Sequence, residues 1–367
     1  MNDSHEEKIS FNDVLLVPQY SEIRSRSEIT TQVRLGRLTL DIPIIASNMD
    51  TITGIKMIRK MDELGGLGIM HRGNPPDSKD FSIESMEADL EELIKEWSLA
   101  PRKYLALSVG SIYVDRECAR IGAILRNIDN FSIDHESTAI CVDFAHGDSA
   151  ASVDTIAYIR EKGYRGTIIG GAVCTPDACR RLMTAGANAV RVGIGPGGFC
   201  STRIKTGCGY PQLSAIKECA ETGVPIIADG GIRHPGDAAK ALAAGARAVM
   251  LGSWFAATDC VPGWDRAISL TDSEYDVSAP FIVCRGMASN SAKTAIGAPE
   301  GFEEGISIGL APKTKGSTEE AVKNMMDGVI SAMSYQNSKN LSEFRTKAKF
   351  VRVSASVMQE NRPHIKE

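Results

Sequence analysis

Eight short apolar runs, rich in Val and Ile, recur along the chain and constrain its fold more than any other feature. Turn residues and then a segment of helical periodicity follow each run, which is typical of parallel strands buried on both faces. Eight such units in 367 residues predict an α/β fold, a single (β/α)8 or TIM barrel. A doubly wound sheet is the alternative, but the first units contain no G-x-G-x-x-G motif. The predicted strands are 43–47, 67–71, 104–109, 139–143, 167–170, 189–193, 225–229 and 248–252.

Two of these units are nearly identical in sequence, which favours a barrel built from equivalent parts. Residues 185–193 read AGANAVRVG and residues 244–252 read AGARAVMLG, so each combines a helix end, a glycine stop and a strand. Before the first of them, Thr175-Pro176 is typical of a helix start, with Thr as the N-cap and Pro in the first turn. Chance similarity between Ala-rich helices is the alternative explanation.

Two segments fall outside the repeat. Residues 1–42 precede the first strand and are expected to form an N-terminal extension. Residues 255–318 are polar and interrupted by Gly and Pro, so we expect a long loop. This loop leaves the C-terminal end of the eighth strand, where barrel enzymes keep their catalytic residues, and it is interpreted as a flap over the active site. Residues 1–367 are then expected to form one catalytic domain.

Charge and composition exclude several classes of function. The chain carries 46 acidic and 41 basic residues and no dense Lys/Arg cluster, which argues against a nucleic-acid partner and favours a small molecule. No apolar run approaches the roughly 18 to 20 residues of a membrane span, and the polar start is unlike a signal peptide, so we expect a cytoplasmic protein. The nine Cys and six His show no metal-ligand spacing, which predicts free thiols and no zinc site.

One cysteine stands apart because a glycine loop presents it directly after a predicted strand. Residues 189–203 read AVRVGIGPGGFCSTR, and the glycines allow a ligand to approach the backbone closely around Cys200. We interpret Cys200 as a nucleophile. The alternative is a loop that only joins a strand to the next helix.

The ends of the last two predicted strands suggest a nucleotide site. Asp229 ends the seventh strand, where its carboxylate can accept hydrogen bonds from paired ribose hydroxyls. Gly230-Gly231 and Gly252-Ser253 follow the seventh and eighth strands, where backbone N–H groups commonly bind phosphate. Together they predict a nucleoside monophosphate site, unless the glycines only relieve crowding at the turns.

Beyond these local arguments, GPGGFCSTR at 195–203 and GCGYPQ at 207–212 closely resemble the catalytic loop of the IMP dehydrogenase and GMP reductase family. The resemblance extends over nearly the whole chain, with FNDVLLVPQ at 11–19, ASNMDT at 46–51 and RGMAS at 285–289. It implies a purine nucleotide with its C2 over Cys200, and a nicotinamide cofactor.

The resemblance also implies roles for individual residues. Thr202 would assist Cys200, Asp229 would bind the nucleotide ribose, and Asp143 would face the nicotinamide ribose. The carbonyls of Gly195, Gly197 and Cys200 match a monovalent-cation site, which implies K⁺, and the family implies a homotetramer. The base would contact Ser47, Met49, Gly286, Met287 and Glu304, and the phosphate would contact Gly231, Gly252 and Ser253.

Several departures from the family pattern bear on the reaction. Gly198 replaces a phosphate-binding serine, and Cys284 replaces a tyrosine that reaches the same phosphate in dehydrogenases. Between Met287 and Glu304 the chain lacks the Arg-Tyr pair with which dehydrogenases activate water, and no regulatory module follows the second strand. These features favour a reductase that converts GMP to IMP with NADPH.

Other features keep alternatives open. LSEFRTKAKFVRV at 341–353 and CVDFAHGDS at 141–149 look more like bacterial dehydrogenases, which use NAD. Asn290 stands where reductases have a glutamate that protonates the departing ammonia, so Glu300, Glu303 or Glu304 would have to substitute, or Thr202 would suffice. An IMP dehydrogenase, a reductase of another 2-aminopurine nucleotide and a non-catalytic nucleotide-binding protein are the alternatives.

Overall fold

The computed structural model describes residues 7–73, 82–99, 103–272, 277–295, 300–312 and 316–361. Its strands are β1 (Val14–Leu16), β2 (Val33–Leu35), β3 (Leu38–Leu40), β4 (Ile44–Ala46), β5 (Leu67–Met70), β6 (Leu105–Val109), β7 (Thr138–Asp143), β8 (Thr167–Val173), β9 (Ala189–Val192), β10 (Ile226–Asp229), β11 (Ala248–Leu251), β12 (Ile268–Asp272), β13 (Val277–Cys284), β14 (Gly309–Pro312) and β15 (Phe350–Arg352).

The helices lie between and after these strands. They are α1 (Ile55–Glu63), α2 (Ile83–Ser98), α3 (Asp115–Asn130), α4 (Ala150–Glu161), α5 (Pro176–Thr184), α6 (Thr202–Thr206), α7 (Gln212–Ala220), α8 (Pro235–Ala243), α9 (Asn290–Thr294), α10 (Thr318–Tyr335), α11 (Leu341–Lys347) and α12 (Val357–Glu360). No helix among the described residues is both long and apolar enough to cross a membrane.

Strands β4 to β11 close into a parallel barrel in which each strand pairs with its sequence neighbours and β11 pairs with β4. All eight strands predicted from the apolar runs are present, and the TIM barrel is confirmed. Their residues are almost all buried, because one face points into the barrel and the other packs under the helices. The Thr175 hydroxyl accepts from the Ala178 N–H, and Pro176 begins α5, as the sequence predicted.

The N-terminal extension closes the bottom of the barrel with the β2–β3 hairpin. Gly36 turns this hairpin with a φ of +57°, and a Cβ there would lie 2.8 Å from the Cβ of Asn188 and 2.9 Å from the Thr167 side chain. The Arg37 N–H donates to Thr167 Oγ1 at 3.0 Å. The hairpin therefore seals the end of the barrel opposite the predicted site. Before the hairpin, β1 pairs in antiparallel fashion with β15 from the C-terminal part of the chain.

The expectation of a long loop after the eighth strand was wrong in part. Strands β12, β13 and β14 form a three-stranded antiparallel sheet, and α9 lies between β13 and β14. Residues 273–276, 296–299 and 313–315 of the predicted flap lie outside the described residues. Two flap segments are hydrogen-bonded to barrel loops: 285–289, which follows β13, and 303–306, which precedes β14.

Candidate active site

The barrel brings the predicted site residues to its C-terminal rim. Ser47 follows β4, Asp143 ends β7, Cys200 lies in the loop after β9, Asp229 ends β10, and Gly252 follows β11. The rim loops are in direct contact, because a Cβ on Gly252 would lie 3.1 Å from both Ser47 Oγ and Met49 Sδ. Five strand ends that are distant in sequence thus surround one opening.

The loop after β9 depends on its glycines. A Cβ on Gly193 would collide with the carbonyl oxygen of Asp229, and Gly195 has a φ of +86°, so neither position accepts another residue without strain. Cys200 is partly exposed, and its Sγ donates to Thr202 Oγ1 at 3.1 Å. The loop therefore holds an accessible thiol beside a hydroxyl, which is the arrangement expected for a nucleophile.

A ladder of main-chain hydrogen bonds joins the flap to this loop. The Ser201 N–H donates to the Glu304 carbonyl at 2.8 Å, and the Ile306 N–H donates to the Phe199 carbonyl at 3.0 Å. Cys200 faces Gly305 across an antiparallel bridge. On its other side the 303–306 segment pairs with the start of the flap, where the Gly286 N–H donates to the Ile306 carbonyl at 2.9 Å. The flap backbone thus packs directly against the cysteine.

The start of the flap is also anchored to the loop after β4. Arg285 Nε donates to Asp50 Oδ2 at 2.9 Å, and its NH2 contacts the same carboxylate oxygen. The Asp50 N–H donates to Met287 Sδ at 3.5 Å. These contacts place Met287 beside the loop that carries Ser47 and Met49. Four of the five residues expected at the purine base, Ser47, Met49, Gly286 and Met287, therefore lie in two loops that touch, and the fifth, Glu304, lies in the 303–306 segment beside them.

Ser47 has an unsatisfied polar group in this region. Its side chain is buried, and Oγ has no hydrogen-bond partner among the described residues. Such a group is costly unless a ligand or water completes it. The orphaned hydroxyl is consistent with a polar ligand at this position.

The predicted phosphate side is formed by the loops after β9, β10 and β11. A Cβ on Gly198 would lie 3.3 Å from Ser253 Oγ, so the loop after β9 meets the loop after β11 here. Gly231 has a φ of +80° and packs on Pro196. Cys284 is fully buried. Neither Gly198 nor Cys284 supplies the hydroxyl that the family pattern has at that position.

Arg191 is a functional candidate that the sequence analysis did not single out. It lies in β9, is 4% exposed, and points into the barrel. Its NH2 donates to Asp143 Oδ1 at 2.8 Å, and its Nε lies 3.4 Å from Asp229 Oδ2. Burial alone would raise the pKa of Asp143, but the charges of Arg191 and Arg72 outweigh it and hold the pKa below its ordinary value. Burial raises the pKa of Asp229, and Arg191 offsets this only in part.

The loop carbonyls expected to hold a monovalent cation have neighbours of their own. The Gly197 carbonyl accepts from the Cys200 N–H at 3.0 Å, and the Arg203 side chain packs on Gly195. A carbonyl oxygen has a second lone pair, and carbonyl oxygens suit K⁺, so the donor set fits the ion chemically. The ion stays a prediction, and no step below depends on it.

The residues around Asn290 differ in their suitability as proton donors. The Asn290 N–H donates to Glu303 Oε1 at 2.7 Å, and Ser307 Oγ donates to the same oxygen. These hydrogen bonds, that from Ser307 foremost, lower the pKa of Glu303, which keeps it ionised and disfavours it as an acid. Glu300 accepts from Thr294 Oγ1 at 3.4 Å on an exposed part of the flap.

Comparisons with known proteins agree with this geometry. The family model for the IMP dehydrogenase / GMP reductase domain matches residues 8–364. An inosine-5'-monophosphate dehydrogenase from Cryptosporidium parvum is 33% identical over 97% of this chain and 94% of its own length. A GMP reductase from Shigella flexneri is 34% identical over 97% of this chain and 96% of its own length. The structure of a GMP reductase from Trypanosoma brucei with guanosine 5'-monophosphate aligns over both whole chains with a TM-score of 0.82. At 24% identity that last likeness shows the fold alone.

Proposed function

The chain belongs to the IMP dehydrogenase / GMP reductase family of oxidoreductases, and we propose that it reduces GMP to IMP with NADPH. In this reaction GMP, NADPH and two protons give IMP, NADP⁺ and ammonium. The observation that carries the proposal is the flap that packs on Cys200. The main-chain groups of flap residues 304–306 pair with the cysteine loop. Between Met287 and Glu304 the flap sequence has no Arg-Tyr pair to activate water, which favours a reductase over a dehydrogenase.

Nucleotide binding would use the two touching loops and the strand ends. The base would lie between the Ser47–Met49 loop and the Gly286–Met287 turn, with Glu304 at its edge. Asp229 would accept hydrogen bonds from the ribose hydroxyls. The N–H groups of Gly231, Gly252 and Ser253 would bind the phosphate. The orphaned Ser47 hydroxyl supports this placement, because a bound nucleotide would satisfy it.

Covalent chemistry would begin at the thiol of Cys200. As a thiolate it adds to C2 of the purine, since the ring nitrogens on either side accept the displaced electron density. The amino nitrogen then takes up one proton, its bond to C2 breaks as the ring nitrogen returns its electrons, ammonia leaves, and a thioimidate on Cys200 remains. Ammonia takes up the second proton in solution. Thr202 Oγ1, next to the sulfur, is placed to orient the departing amine.

Bound NADPH supplies a hydride to C2. Asp143 would hold the nicotinamide ribose, and it is suited to this because a carboxylate has about four acceptor positions, of which Arg191 occupies one. After hydride addition the C2–S bond breaks, which releases IMP and restores the Cys200 thiolate.

We also propose that residues 1–367 form one catalytic domain and assemble as a homotetramer. Light scattering can test the homotetramer.

The direct test is a steady-state assay. GMP with NADPH should give IMP and ammonium in equal amounts. Consumption of NADPH is measured as the loss of absorbance at 340 nm, and the products are identified by mass spectrometry. An IMP dehydrogenase is the second candidate, because the Cryptosporidium relative is 33% identical over nearly the whole chain. Continuous formation of XMP from IMP and NAD⁺ would establish that candidate instead.

A further inference from the structure

Arg191 contacts both of the carboxylates to which ribose binding has been assigned. Asp143 lies on β7 and Asp229 on β10, so the two are separated along the barrel wall by β8 and β9. Arg191 spans this gap from β9, with NH2 on Asp143 and Nε beside Asp229. A single guanidinium therefore sits between the proposed nucleotide and cofactor subsites.

Two further contacts fix the plane of this guanidinium. NH1 donates to Asn48 Oδ1 at 2.9 Å, and it also contacts Cys141 Sγ at 3.4 Å. Burial raises the pKa of Cys141 to about 12, so this thiol stays neutral and does not compete for the positive charge. The planar, five-donor head of arginine can meet partners in several directions at once, which a lysine ammonium on a flexible stem does not do as well.

The charge balance also requires this cation. Arg72 Nε lies 3.8 Å from Asp143, but Arg72 NH1 is shared with Glu117 at 3.2 Å. Among the described residues, Asp229 has no other cation within ion-pairing distance besides Arg191. Without Arg191, two partly buried carboxylates on neighbouring parts of the rim would repel each other with little compensation.

We propose that Arg191 is a positioning residue that holds Asp143 and Asp229 in the orientations needed to bind the two riboses. The proposal rests on the function proposed above, which assigns the riboses to these carboxylates. Arg191 touches neither nucleotide in this scheme. It acts through the two aspartates, so its loss should weaken recognition of the ribose hydroxyls rather than of the base or phosphate.

The test compares GMP with its 2',3'-dideoxy analogue by isothermal titration calorimetry. The ratio of the two dissociation constants measures recognition of the hydroxyls alone. We expect a ratio of at least about 10 in the wild type, as hydrogen bonds to a charged group usually give. In Arg191→Met the ratio should fall below about 3, with Arg191→Lys in between, and the KM for NADPH should rise by roughly tenfold or more.

Arg160 provides a matched control. It donates to the carbonyls of Gly166 and Gly186 and to Asn188 at the bottom of the barrel, far from the rim. Arg160→Met should destabilise the fold yet leave the ratio unchanged. Should Arg191→Met not fold, the intermediate ratio of Arg191→Lys carries the test.

The outcomes separate this proposal from the proposed reaction. A ratio that stays at the wild-type value in both Arg191 variants overturns the positioning role, whatever the turnover. A ratio that falls in Arg191→Met, together with a wild-type protein that does not turn over GMP and NADPH, supports the positioning role and rejects the reaction. A wild-type ratio near one rejects both the ribose assignment of Asp229 and the positioning role.

Discussion

Replacement of Asp229 by alanine tests the ribose subsite most directly. The carboxylate ends β10, and a quarter of its side chain is exposed to the opening of the barrel. In the proposed complex it accepts one hydrogen bond from each of the two ribose hydroxyls. Alanine removes both acceptors and leaves the loop after β10 intact, since the main-chain contact from Gln212 Nε2 to the carbonyl of residue 229 does not need the side chain.

The expected loss follows from the surroundings of the carboxylate. A hydrogen bond to a charged group contributes about 1.5 to 3 kcal/mol, so two would give up to about 6 kcal/mol if both were fully effective. Arg191 already engages Oδ2, and water reaches the exposed quarter of the side chain, so we take the net effect as about 1.5 to 3 kcal/mol in total. GMP should then bind roughly 10- to 150-fold more weakly.

A thermodynamic cycle with 2',3'-dideoxy-GMP makes this result specific. Calorimetry on wild type and Asp229→Ala with both ligands should give a coupling free energy of about 1.5 kcal/mol or more, because the variant no longer senses the hydroxyls. Asp177→Ala, at an exposed position on α5, is the matched control and should bind GMP normally. If the variant still discriminates between the two ligands as the wild type does, Asp229 does not bind the ribose.

Three further predictions concern the chemistry. Cys200→Ser should turn over at less than about 1% of the wild-type rate while binding GMP within about tenfold, because an alcohol is a far poorer nucleophile than a thiolate, and greater residual activity would rule out the covalent route. The reaction of IMP with NAD⁺ should yield about one NADH per active site and then stop, since the flap offers no base that could activate water. Sustained NADH production in stopped-flow measurements would contradict the reductase assignment. Asn290→Glu should accelerate GMP reduction, because a carboxyl group beside the ionised Glu303 would have a raised pKa and could deliver a proton. The control Asn290→Gln should not accelerate it, and equal rates in the two variants would exclude position 290 from proton delivery.

The barrel could be predicted because its strands carry their own signal. Runs such as Ala248–Leu251 are apolar on both faces, and each is bounded by turn residues, so local sequence is sufficient to find them. The flap sheet was missed for the opposite reason. Its strands include Pro280 and Pro312, which cannot donate to a strand ladder, so these stretches lack the usual signal of a strand.

The site was predictable to the extent that its residues belong to strand ends and glycine loops. Cys200, Asp229 and Gly252 were proposed as site residues in this way, and the structure places all three at the C-terminal rim of the barrel. Arg191 was not, because it lies inside an apolar strand and its partners Asn48 and Asp143 are 143 and 48 residues away in sequence. No spacing rule connects such residues, and only closure of the barrel brings them together. The anchor between Asp50 and Arg285 escaped prediction for the same reason.

The ladder between the flap and the cysteine loop has a consequence for how such a protein can diverge. The hydrogen bonds that join 199–201 to 304–306 are made by main-chain groups, so they do not depend on which side chains the flap carries. Residues of the flap can therefore be exchanged during evolution, including any acid or base that it carries, while its register against the Cys200 loop is preserved. A scaffold of this kind can acquire a new second half-reaction without rebuilding the first.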